Sequence, residues 1–523
     1  MRIEEIAQAV NERVEAERRQ FGPGPEPDTG QHGGNGQDHE SEPVPSENVL
    51  KALAANEDGD ATLYVDLHRG RLVYDMAAGR WFTWTGQAWQ MDTLNEAARA
   101  VDAVIDLYAQ EAKRQAWLRV GAEKAGRTAE AKKHREKEDA LLKRIRTLQT
   151  VARKENVLTL AHTGAASLAI TGLEWDRDPW LFGCPNGVID LRTGELRPGV
   201  PEDYIRLVTT VVYSGLITPA PVWEQFLLEI FDGDIELIDF MQRLFGYCMT
   251  ATATEHKAPI LWGQGRNGKT TLVEAVAYVF GDYAGTAESE MLLKQRFGRH
   301  SGAPSPDIMA LRGRRFVICS ETESGRHFNV ARLKWLCGGD TLTGRDPWGK
   351  GMVTFKPSHT LFLSTNHRPH ANADDYAFWK RALLIPFTLS FVDEPHETHE
   401  RKADPGLLDK LKAEASGVLA WCVRGCLEWQ RKGLLPPESV KAATAAYQEE
   451  EDIIKHFLDE RCTVQADLTV KAGLLYQEYR EWCGKMGHAP LNGTNFGTWL
   501  KRRFNHRKDK HGIFYKGVGL SEG

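Results

Sequence analysis

The chain has 523 residues, 41% of them hydrophobic and 26% charged, with a formal net charge of −6. That length calls for two to four domains, and no uncharged apolar run approaches the roughly 20 residues of a membrane-spanning helix. An acidic balance excludes a uniformly basic nucleic-acid coat, so any DNA contact must come from local basic surfaces or a lined channel.

The N-terminus MRIEEIAQAV lacks the basic-then-apolar layout of a secretory signal, and the eight cysteines include no CxxC pair. Cys422 and Cys426 stand four residues apart in an apolar helical pattern and read as core. These features predict a cytoplasmic, reduced protein without zinc or membrane attachment.

In chain order, residues 1–20 are predicted as an amphipathic helix with Ile3, Ile6, Val10 and Val14 on one face. Residues 21–47 are rich in Gly, Pro and acid, a linker composition, and the first folded region is taken to begin near residue 58, with 21–57 disordered. From 60 to 92 the text reads as strands, TLYVDL, RLVYD and RWFTWTGQAWQMD. Trp81, Trp84 and Trp89 there read as the core of a small sheet rather than a base-stacking platform.

An amphipathic helix is predicted over 94–118 and a charge-rich helical stretch over 121–155. The segment 174–214 gives strands joined by turns, with NGVIDLRTGEL (186–196) as a hairpin on a Thr-Gly turn, followed by helices at 222–231 and 234–250. The boundaries that result are 58–160 for an N-terminal accessory region, 161–254 for a pre-motor region and 255–392 for an ATPase core. A helical segment (393–460) and a compact tail (461–523) complete the chain.

GQGRNGKTTL (263–272) fits G-x-x-x-x-G-K-[ST] in full, after the apolar run APILW and before a helical pattern. Strand, glycine turn and helix occur in the order that lets backbone N–H groups curl around phosphate oxygens at a helix N-terminus. Gly263, Gly265, Asn267, Gly268, Lys269, Thr270 and Thr271 are the predicted nucleotide-binding residues. Lys269 reaches the β- and γ-phosphates and the Thr270 hydroxyl ligates Mg²⁺. The predicted cofactors are ATP and Mg²⁺.

Downstream, RRFVICSETESG ends an apolar strand in Glu321 and Glu323. An acid so placed holds Mg²⁺ or polarises the attacking water; Glu321 is the first candidate for both tasks and Glu323 the second for the base. HTLFLSTNHRP ends a further strand in Asn366, an amide able to position that water. FWKRALLIPF places Lys380 and Arg381 before a third strand, and a guanidinium fork suits a transition-state phosphate. Between these strands, LKWLCGGDTLTGRDPWGKGMVTFKP reads as a β-hairpin with Lys350 near its tip, either a surface feature or a DNA grip.

Taken in order, GQGRNGKT, FVICSETE, KWLCGGDTLTGR, LFLSTN and WKR resemble a superfamily 3 helicase. More narrowly, they resemble the phage and plasmid primase–helicases related to the poxvirus primase–helicase. The likeness covers about 165–520 and is weaker from 60. It implies an α/β fold with an AAA+-like P-loop ATPase core, an N-terminal α+β region and a C-terminal winged helix. It further implies a ring, commonly a hexamer, moving 3′→5′ on single-stranded DNA with ATP and Mg²⁺. By the resemblance Lys269 and Thr270 fall on Walker A, Glu321 on Walker B, Asn366 on sensor 1, Lys350 near the pore hairpin, and Arg381 acts in trans.

Walker B here is Ser-Glu-Thr-Glu rather than two adjacent acids, which leaves the division between Glu321 and Glu323 open. The N-terminal region reads as lacking the paired carboxylates that a primase needs for two metals. The expected protein is therefore a stand-alone replicative motor of a phage or mobile element in a bacterial host cell, or one that recruits a separate primase or other replisome protein. The rivals are a bifunctional primase–helicase and a nucleotide-switched initiator that binds DNA without unwinding it. In the tail, two helical patterns precede HRKDKHGIFYKGVGL, the order of a winged helix. Lys501, Arg502, Arg503, Arg507, Lys508 and Lys510 cluster there and suit DNA phosphate contacts; the expected partners of the whole chain are single-stranded and forked DNA.

Overall fold

The computed structural model describes residues 44–295, 304–320, 325–345, 347, 351–488 and 490–521. The predicted helix at 1–20, Glu321, Glu323 and Lys350 lie outside the described residues.

The N-terminal region pairs a helical layer with a small sheet. Helices Ser46–Ala54 and Asn56–His68 open it. Two expectations are corrected here. Helix begins inside the stretch assigned to linker, because Val49 and Ala52 find a core to enter. TLYVDL is helical rather than extended, because Leu63, Tyr64 and Val65 are buried and the Tyr64 hydroxyl donates to Ala97 O at 2.7 Å. A short apolar run carries no period of its own, so packing decides its conformation.

The sheet runs β3-β2-β1-β4, from β1 (Leu72–Asp75), β2 (Arg80–Trp84), β3 (Trp89–Met91) and β4 (Ala169–Ile170). Trp89 is buried and its indole N–H donates to Pro201 O at 2.9 Å, the core role expected of it. Helices Asp102–Lys124, Thr128–Leu148 and Val151–Thr163 complete the layer.

The pre-motor region carries an antiparallel meander, β5 (Leu181–Cys184), β6 (Gly187–Asp190) and β7 (Glu195–Arg197), the last two forming the expected hairpin. Helices Pro221–Ile230 and Ile235–Met249 follow, the second capped by Asp234. Helix Ile235–Met249 crosses helix Ala415–Lys432 almost backbone to backbone. A Cβ on Gly246 would stand 2.0 Å from Cys426 N, and one on Gly425 2.0 Å from Gln242 O. Cys422 and Cys426 are both buried in this crossing.

A five-stranded parallel sheet forms the centre, from β8 (Ala258–Trp262), β9 (Ala284–Glu288), β10 (Phe316–Ser320), β13 (Thr360–Thr365) and β14 (Ala382–Pro386), in the order β14-β8-β13-β10-β9. Strands β11 (Leu342–Gly344) and β12 (Val353–Phe355) pair antiparallel as the predicted hairpin. Parallel strands need both faces covered; here helices Lys269–Phe280 and Val330–Cys337 contribute to the cover. Arg315, immediately before β10 and almost fully buried, ties the sheet to the pre-motor meander. Its guanidinium donates to Met249 O and to Leu181 O (2.7 Å) and lies 4.3 Å from the Tyr283 ring centre.

Beyond the sheet, β15 (Ser390–Val392) and β16 (Glu400–Lys402) pair in parallel, and helix Glu438–Glu450 packs against β14. In the tail, β17 (Cys462–Thr463) pairs with β21 (Gly519–Leu520), and β18 (Thr469–Lys471), β19 (His506–Asp509) and β20 (Gly512–Lys516) form a sheet beside helices Ala472–Met486 and Gly493–Arg503. Two helices followed by the β19–β20 hairpin reproduce the predicted order.

Candidate nucleotide site

All five central strands are parallel, so their C-terminal ends share one edge, where open α/β sheets bind ligands. Register fixes what meets there. Trp262, the last residue of β8, pairs with Thr365, the last of β13. The residues that follow, Gly263 and Asn366, therefore leave the sheet side by side. Ser320 ends β10 opposite Ser364 on the same edge.

The loop between β8 and helix Lys269–Phe280 is built around two glycines. Gly268 is the N-cap at φ +83°, and a Cβ there would meet Ile230 Cγ2 at 2.6 Å. A Cβ on Gly263 would stand 2.3 Å from Phe387 O. Both positions exclude larger residues on space, and Gly268 also on backbone conformation.

Lys269 is 5% exposed and its ammonium uses three neutral acceptors: Gly263 O at 2.6 Å, Asn267 Oδ1 at 3.1 Å and Asn366 Oδ1 at 3.0 Å. Burial among uncharged oxygens pushes its pKa down from 10.5 to about 8. The Asn267 amide nitrogen is buried with no partner among the described residues. An underneutralised cation beside an orphaned donor, at a helix N-terminus, fits a polyphosphate. Gly265 and Thr270 are exposed and Thr271 partly so, all open to a ligand.

Phe387 N donates to Trp262 O at 2.7 Å and Phe391 N to Arg266 O at 2.6 Å, so the segment after β14 straps the glycine loop 263–268. No sequence motif marked this strap, because its bonds use backbone groups alone.

Arg381 lies elsewhere. Ala382 pairs with Ala258, the first residue of β8, so Arg381 sits at the opposite end of the strands. Four residue steps at ~3.3 Å each put about 13 Å of strand between the two edges. Its Nη1 donates back to Ala377 O at 2.9 Å, and its buried Nε has no partner among the described residues.

In the tail, Lys501, Arg502, Lys508 and Lys510 are exposed, and Arg507 is exposed with its guanidinium 5.3 Å from the Phe514 ring centre. Arg503 is exposed too, but it is engaged within the chain: it stacks on Trp499 at 3.6 Å and pairs with Asp452 at 3.3 Å. The reading that no paired acids occur near the N-terminus is also corrected, since Asp58 and Asp60 form a D-x-D pair. Asp60 is fully buried and its carboxylate accepts from Tyr108 (2.7 Å), Arg144 (2.7 Å) and Arg153 (2.7 Å). A carboxylate saturated in this way is structural, not a metal ligand.

Three family models match in chain order: D5 N terminal like over residues 61–232, a family of unknown function (DUF5906) over 261–381, and poxvirus D5 protein-like over 449–517. The chain thus resembles the primase–helicase group that the sequence motifs indicated.

Among individual relatives, a provisionally named helicase of Acanthamoeba polyphaga mimivirus is 29% identical over 59% of this chain and 33% of its own length. A provisionally named helicase of Frog virus 3 is 27% identical over 59% of this chain and 39% of its own. A provisionally named primase of African swine fever virus is 24% identical over 59% and 33%. The chain spans 33% to 39% of the length of these curated relatives. They belong to viruses of eukaryotes, which gives the expected bacterial host no support. Among solved structures, the apo NrS-1 C-terminal region aligns with a TM-score of 0.46 at 13% identity, over 87% of this chain and 98% of that one. Among the described residues, no helix is long and apolar enough to cross a membrane.

Proposed function

We propose that the chain is the ATP- and Mg²⁺-dependent motor of a replicative DNA helicase. The observation that carries this reading is the contact of Lys269 with Asn366 across the ends of β8 and β13 (3.0 Å). It joins the residue that would neutralise the β- and γ-phosphates to an amide that would hold the attacking water. Thr270, with Glu321 next in sequence after β10, would hold Mg²⁺, which supplies charge neutralisation on the phosphates. Glu321 or Glu323 would take the water's proton. Arg381, too far from its own loop, would complete a neighbouring subunit's site in a head-to-tail ring, and Lys350 would reach DNA in the channel. The tail would act as a winged helix holding duplex phosphates through Lys501, Arg502, Arg507, Lys508 and Lys510.

The name of the African swine fever virus relative favours a second reading, a motor that also makes primers; a primer-synthesis assay on the purified chain separates the two. For the motor itself, Lys269→Ala should abolish ATP hydrolysis, and Glu321→Gln should bind ATP but turn it over slowly. Full hydrolysis by Lys269→Ala removes the reading, and a dead Glu323→Gln beside an active Glu321→Gln reassigns the base.

A further inference from the structure

The loop after β13, residues 366–375, is held from outside the sheet by helix Glu438–Glu450, and one side chain links that helix to the nucleotide loop. The Arg368 guanidinium lies 4.5 Å from the ring centre of Trp262, the residue immediately before Gly263, and 5.1 Å from that of Tyr447. It also pairs with Glu450. The Tyr447 hydroxyl donates to Pro369 O, and Gln448 Nε2 donates to Ala373 O at 2.8 Å. The Glu451 carboxylate accepts from Ala371 N at 3.0 Å. Arg368 stands two residues from Asn366, whose Oδ1 meets Lys269.

We propose that Arg368 is a positioning residue for ATP hydrolysis. Stacked between Trp262 and Tyr447, it fixes the spacing of the two strand ends and so holds Asn366 against the phosphate-binding loop. This rests on the ATPase reading above. The stack does the work rather than the ion pair: the Arg368 side chain is 21% exposed and Glu450 54% exposed, and exposed pairs contribute little. A planar guanidinium stacked on an indole is not replaced by an ammonium. The role predicts a loss in turnover rather than in ground-state binding, because a misplaced amide is felt where the water attacks.

The test measures kcat and KM for ATP, with melting temperature, for the parent chain and for Arg368→Ala, Arg368→Lys and Glu450→Gln. The expected result is a kcat lowered about 10- to 100-fold in Arg368→Ala with KM within about twofold. Arg368→Lys recovers only part of it, and Glu450→Gln stays near the parent. Folded Arg368→Ala with undiminished kcat overturns the inference alone, as does full recovery in Arg368→Lys. An equal loss in Glu450→Gln overturns the stacking mechanism. If Arg368→Ala does not fold, Arg368→Lys decides by the same kcat criterion. A parent chain without ATPase activity overturns the reading and the inference together.

Discussion

Nucleotide affinity should depend on pH through Lys269. In the free protein its ammonium sits among three neutral oxygens and its pKa is pushed down to about 8. The triphosphate supplies the missing negative charge, so binding favours the protonated form. With a pKa near 8, the protonated fraction is about 0.9 at pH 7 and about 0.1 at pH 9. The Kd for Mg-ATP should therefore weaken about tenfold between those values, about 1.4 kcal/mol. At pH 8.5 binding should take up about three quarters of a proton, because only a quarter of the lysines carry one beforehand. Titration calorimetry in two buffers of different ionisation enthalpy reads both quantities. Lys269→Arg supplies the control, since its guanidinium stays charged throughout. A flat Kd from pH 7 to 9 in the parent, or the same slope in Lys269→Arg, refutes the argument.

Gly246→Ala should cost about 3 kcal/mol or more in denaturant unfolding, since its Cβ would fall 2.0 Å from Cys426 N. Gly484→Ala, in an open position of helix Ala472–Met486, should instead stabilise by about 0.5–1 kcal/mol. Mixing Lys269→Ala with Arg381→Ala subunits, each nearly inactive alone, should restore part of the ATPase; no recovery in mixed oligomers confirmed by mass places Arg381 outside catalysis. Replacing Lys501, Arg502, Lys508 and Lys510 together by glutamine should weaken duplex DNA binding and make its salt dependence shallower by up to about 4 in log–log slope. An unchanged slope assigns the tail another role.

The candidate site at the sheet edge was legible because its parts are local. GQGRNGKT needs its glycines where Gly263 and Gly268 close on neighbours, and each apolar run before it, before Glu321 and before Asn366 became a strand of the parallel sheet. What escaped the sequence is non-local. TLYVDL could be strand or helix until Leu63 and Tyr64 had partners. The distance of Arg381 from Asn366 is set by topology, because Arg381 precedes β14 and parallel strands send their starts and ends to opposite edges. Arg368 carried no signal, because its partners Trp262 and Tyr447 lie far away along the chain. The stacking of Arg503 on Trp499 was likewise hidden within a run of three basic residues.

Strand separation distinguishes a DNA motor from a nucleotide-switched binding protein. Purified chain is incubated with a forked DNA duplex, ATP and Mg²⁺, beside the Lys269→Ala variant. The parent should separate the strands, single-stranded DNA should stimulate its ATP hydrolysis, and Lys269→Ala should do neither. ATP-dependent DNA binding without strand separation or DNA-stimulated hydrolysis would contradict the motor reading and identify a nucleotide-switched DNA-binding protein instead.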